Sequence, residues 1–241
     1  MATPIFVRVA ADPTLIPGVY EMCDQWCMYC PVTERCLAYR CSPDIASGKQ
    51  DIEKSLADRL YEGMEFLKKL CDAEGRPVPE LDALLSEDPR HTVKFIPIDD
   101  PIEKMGRRYA QLSDAYLISH SDFPFEMRPR PSGPTPFEVF AWFHWLIPSK
   151  IYRALISAAR AARGGEDWLR NDALASAKVA LIGMDRSLDA LAALGREEED
   201  ARVEFLQAHL RRLRREVEGR FPEARTFLRT GLDAERAARP E

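Results

Sequence analysis

Five of the six cysteines in the chain fall between residues 23 and 41, spaced Cys23-x3-Cys27-x2-Cys30-x5-Cys36-x4-Cys41, with Cys71 apart from them. Thiolates are soft, charged donors, and four of them complete a tetrahedral zinc site or hold an iron–sulfur cluster. The spacing puts positions 23, 27 and 30 along one face of a helix, and Pro31 then turns the chain so that Cys36 can return. The expected metal ligands are therefore Cys23, Cys27, Cys30 and Cys36, with Cys41 or Cys71 in reserve.

Either metal satisfies this donor set. The pair Cys30-Pro31 also ends the cysteine run of bacterial ferredoxins, and Trp26 and Tyr29 would shield a cluster from water. Zinc sites more often use two separated Cys-x2-Cys knuckles, and only one is present. The competing reading treats the same cysteines as small hydrophobes on a buried face beside Trp26, with no metal.

The octapeptide from Cys23 to Cys30, CDQWCMYC, resembles the three-cysteine signature of radical S-adenosylmethionine enzymes, including the aromatic residue before the last cysteine. That resemblance implies a four-iron cluster on Cys23, Cys27 and Cys30, with one iron open to the cofactor. Gly164-Gly165-Glu166 resembles the segment that binds the cofactor's amino group. Such enzymes are built on alternating strands and helices, an alternation this chain lacks.

Other chemistry has less support. A carboxylate-bridged di-iron site needs Glu-x-x-His pairs on one helix face, and there are none. His120, His144, His209 and Asp114 could pool into a site, although His144 in Trp142-Phe143-His144-Trp145 reads as a hydrogen-bonded core histidine. Gly-x4-Gly-Lys, Gly-x-Gly-x-x-Gly and Gly-x-Ser-x-Gly motifs are missing. The basic run Arg211–Arg215 lies among acids and reads as a solvated, ion-paired face.

The elements that must position the cysteines are mostly helical. Residues 51–71 carry apolar residues at helical steps. Asp100-Pro101-Ile102-Glu103 and Thr135-Pro136-Phe137-Glu138 each combine a capping side chain, a proline at the first position and an acid at the third. They predict helices over 100–119 and 135–163, the second with a kink at Pro148. Asn171–Leu194, stopped by Gly195, and 197–219 complete the set. Ala175, Ala177, Ala180 and Gly183 would let a partner helix approach closely. Lys178 and Asp185 stand in this otherwise apolar helix; one of them is expected to face inward, where an interior charge would need a partner, with Arg153 or Arg186 as candidates.

Residues 5–9 and 92–98 are strand candidates that could form a two-stranded element. Between the predicted helices, 122–134 is a proline-rich loop too long for a bundle turn. The expected fold is mostly α, a bundle of four to five long helices. A Cys-rich metal-binding segment over 1–45 precedes the bundle over 46–241.

Composition narrows the setting. The 241 residues carry a formal net charge of -5 and 46% hydrophobic residues, enough for a real core. That charge gives no general attraction to nucleic acid or anionic lipid. The first residues lack a basic region followed by a long apolar run, and the longest apolar run, from Phe137 to Ile147, is too short to span a bilayer. The expected location is the cytoplasm, where close-set cysteines serve as metal ligands or redox thiols. Expected partners exclude nucleic acid and membrane, and the apolar seams of the last two helices offer a surface for a homodimer or a protein partner.

Overall fold

The computed structural model of the chain describes residues 12–40, 98–120, 130–164, 167–197 and 200–233. The chain divides into two compact units, one of residues 1–13 and 39–97, the other of 14–38 and 98–241. In the first, the described residues include the ion pair of Arg40 with Asp12, at 2.6 Å. The helix expected over 51–71, most of both strand candidates, Cys41 and Cys71 lie outside the described residues. Among the described residues there is no strand, and no helix is long and apolar enough to cross a membrane.

The second unit packs four long helices: α1 (Pro101–Ser119), α2 (Pro136–Ala161), α3 (Asp167–Glu197) and α4 (Ala201–Arg220). Local chemistry starts three of them. Asp100 accepts from the Ile102 amide at 2.8 Å to open α1, with Pro101 at the first position. Thr135 and Glu138 form a reciprocal capping box at α2: Thr135 Oγ1 accepts from the Glu138 amide, and Glu138 Oε2 accepts from the Thr135 amide. Asp200 caps α4.

Helices α2 and α3 form the most extensive pairing, and glycine is the reason they fit. A Cβ on Gly183 would stand 2.8 Å from Phe143 Cδ1 and 3.1 Å from Ile147 Cγ1. The small-residue face expected on α3 is thus filled by the aromatic face of α2. Pro148 lies inside α2, against Gly106 of α1. The apolar row of α4 (Val203, Leu206, Leu210, Leu213 and Val217) is buried, as are Tyr109, Phe140, Phe143, Leu181 and Met184.

Three expectations shift. Gly195 does not stop α3, which continues to Glu197; a Cβ there would meet Val203 Cγ1 at 3.2 Å, so this glycine serves the approach of α4. Asp185 pairs with Arg214 and Arg225 in place of Arg153 or Arg186, and Lys178 pairs with the carboxylate of Asp233 at 2.9 Å. Arg153 is held by Asp172 and Arg186 by Asp24.

Candidate metal centre

The cysteine segment belongs to the same unit as the four helices. Its ends are tied together: the Ile16 amide donates to the Arg35 carbonyl at 2.9 Å, and Arg35 Nε donates to the Thr14 carbonyl at 3.1 Å. Between these ties the chain runs through turns. The helix expected to align Cys23, Cys27 and Cys30 is replaced by a sequence of tight bends. Asp24 Oδ1 accepts from the Trp26 amide at 3.3 Å, and Gln25 takes the left-handed conformation at φ 57. Trp26 follows with φ -85 and ψ 69, and the Cys27 amide donates to the Gln25 carbonyl across it, an inverse γ-turn. Single 3₁₀ turns then span Cys27–Tyr29 and Thr33–Arg35, each ending on a cysteine, Cys30 and Cys36.

These bends bring the four cysteines into one neighbourhood. Burial comes first, followed by the nearby sulfurs of Cys23, Cys30 and Cys36; together they push the Cys27 thiol up to about 11. Burial also raises Cys23, opposed by the Gln25 amide, which donates to its sulfur at 3.4 Å. All four are free thiols, and Cys36 is the most buried. The donor set fits a thiophilic ion: the repulsion that disfavours neighbouring thiolates at Cys27 becomes attraction once a cation lies among them. Among the described residues, no three His, Cys, Asp or Glu side chains stand close enough together to hold a metal ion as they are placed. Cysteine side chains must therefore turn inward for one to bind.

The bundle grips this segment through Trp26, which is 4% exposed. Its indole stacks on Trp142 of α2, with centroids 5.2 Å apart and planes 8° from parallel. Tyr29 and Phe143 meet it edge-on. Trp142 Nε1 donates to the Asp24 carbonyl at 3.0 Å. Lys150 donates to the Glu21 carbonyl at 3.2 Å, Arg186 pairs with Asp24 at 3.3 Å, and Arg229 reaches the Met22 carbonyl at 3.4 Å. Gly231, at φ 77, lies so close to Ile16 that a Cβ would meet its Cδ1 at 2.5 Å.

Two spaces lie beside the cysteine segment, and thiols line the smaller one. A cavity of about 20 Å³ is lined by Cys23, Cys30, Asp24, Trp26, Arg186 and Arg229. A wider groove of about 420 Å³ shares Trp26, Tyr29 and Arg186 with it and is completed by Pro136, Val139 and Asp189. The cationic lining by Arg186 and Arg229 had no signal in the cysteine spacing.

The pooled histidine site does not assemble. His144 Nδ1 is bonded to the Ala141 carbonyl and Nε2 faces Asp114 at 3.2 Å, as its apolar neighbours suggested. Burial, against the pull of Ala141 and Asp114, holds its pKa below the usual range. His209 is bonded to the Met105 carbonyl, and His120 stacks on Tyr116. Of the Gly-Gly-Glu, Gly164 follows the end of α2 at φ 87, and residues 165–166 lie outside the described residues. Set against family models, curated proteins and solved structures, the chain matches none of them.

Proposed function

We propose that Cys23, Cys27, Cys30 and Cys36 form a thiolate metal clasp that fixes the N-terminal segment to the helical bundle. The supporting observation is the segment itself. Residues 14–36 bury Ile16, Val19, Trp26, Val32 and Cys36 yet contain only turns and two short 3₁₀ stretches. A segment with so little regular structure gains most from a cross-link, and a four-thiolate ion supplies folding free energy directly. The cavity beside Cys23 and Cys30, at about 20 Å³, has room for a single ion. When bound, the ion would supply charge neutralisation and a rigid four-way tie.

A second reading is an enzyme with an open four-iron cluster of the radical type. The groove of about 420 Å³ favours it, because it offers room for a substrate and shares Trp26, Tyr29 and Arg186 with the cavity that Cys23 and Cys30 line. Anaerobic purification followed by elemental analysis and an absorption spectrum separates the two. Colourless protein with stoichiometric zinc, lost in a Cys36→Ser variant, is the expected result. Brown protein with stoichiometric iron moves the assignment to the cluster. Protein that takes up neither metal after reconstitution under reducing conditions overturns both.

A further inference from the structure

Three cations reach residues 21–24 from different parts of the bundle, and they are not equivalent. Arg186 has a carboxylate partner in Asp24 and Arg229 has one in Asp233, at 2.7 Å. Lys150 has none. Its side chain is buried, with the residue 5% exposed, and its ammonium donates to the Glu21 carbonyl. Among the described residues no carboxylate lies within ion-pairing distance of it. Asp172, in the same region, is held by Arg153 at 2.6 Å and by Ser157 at 2.6 Å.

A buried ammonium whose only partner is a neutral carbonyl is strongly unfavourable, and proteins keep such charges where a counter-ion completes them. Burial pushes the Lys150 pKa down, and the Glu21 carbonyl that it grips stands two residues before Cys23. Cys23 Sγ donates to the Tyr20 carbonyl at 3.3 Å, on the stretch of backbone that Lys150 also grips. The missing anion therefore has an identifiable source in the chain.

We propose that Lys150 is the counter-ion of the cysteine centre, its ammonium balancing the thiolate of Cys23 when metal is bound. This rests on the metal reading above. Four thiolates around a divalent ion carry a net negative charge, so a buried cation on one side stabilises the loaded state and burdens the empty one. Lys150 is a positioning residue here, acting on the centre through charge.

That opposite effect on the two states is what the test reads. Zinc affinity is measured by competition with a chromophoric chelator, under reducing conditions, for the parent chain, Lys150→Met and Lys150→Gln. Urea midpoints are measured for the zinc-free and zinc-loaded forms. Both variants are expected to hold zinc roughly 10–100-fold more weakly, with zinc-free midpoints equal to or above the parent's. Lys150→Gln keeps a hydrogen-bond donor for the Glu21 carbonyl, so it isolates the charge and provides the answer if Lys150→Met does not fold. Unchanged affinity in Lys150→Gln, or equal loss of stability with and without zinc, overturns the assignment while leaving the clasp intact. A parent chain that binds no metal overturns both.

Discussion

Trp26 and Trp142 stack with their ring centroids 5.2 Å apart, and the same Trp142 donates its indole N–H to the carbonyl of Asp24. One residue of α2 thus holds both the side chain and the backbone of the cysteine segment. The contact joins residues more than a hundred positions apart, and its partners Asp24 and Trp26 lie within the bends between Cys23 and Cys27.

Removing that contact should loosen the segment before it loosens the bundle. Trp142→Phe keeps a stacked ring and loses the hydrogen bond, for about 1 kcal/mol. Trp142→Ala loses both, for roughly 2–4 kcal/mol. In hydrogen exchange, the Tyr29 and Cys30 amides, which donate to Trp26 and Cys27, should lose protection in the alanine variant. Amides in the middle of α3 should not. Loss that spreads evenly through α3 would show that Trp142 supports the core as a whole.

Two glycines give opposite expectations. Gly183 has Phe143 Cδ1 at 2.8 Å from the place a Cβ would occupy, and Phe143 is fully buried, so it has nowhere to move. Gly183→Ala should destabilise by roughly 1–3 kcal/mol despite alanine's better helix propensity. Gly219, also helical, has nothing within 4 Å of that position. Gly219→Ala should stabilise by about 0.5 kcal/mol. Thermal melts of the two variants check the pair, and a neutral or stabilising Gly183→Ala would mean that α2 and α3 are not as close as their packing indicates.

What could be read from the sequence follows from how local each determinant is. The starts of α1 and α2 were legible because Asp100 and Thr135 act on amides two or three residues away. Gly195 was misread as a stop because its role is set by Val203, on the next helix. Lys178 and Asp185 were recognisable as charges in an apolar helix, of which Lys178 is the one turned inward, but their partners Asp233, Arg214 and Arg225 lie far along the chain. At the cysteines, the grouping was legible and the helix was not. Gln25 in the left-handed conformation and the Asp24 side-chain turn break a spacing that is otherwise helical. Lys150, between Ser149 and Ile151 and three residues before Arg153, offered no local sign of its burial against Glu21.

The C-terminal end of the described chain supplies a pH-dependent contribution. Asp233 pairs with Lys178 at 2.9 Å and with Arg229 at 2.7 Å, and it also accepts from the Arg229 amide. Desolvation acts to raise its pKa, but the bonds from Arg229 and Lys178 outweigh it and hold the carboxyl well below the usual 3.8. A depressed carboxylate stabilises the folded state fully above its unfolded pKa, and that stability is lost as pH falls through the folded value. Asp233→Asn leaves two buried cations without their anion, and at neutral pH it should cost ~3 kcal/mol. Urea midpoints of parent and variant should therefore differ at pH 7 and converge as the pH is taken below 3.8. A gap that stays constant down to the acid limit of folding would mean that Asp233 acts through its shape or its hydrogen bonds, with its charge contributing nothing.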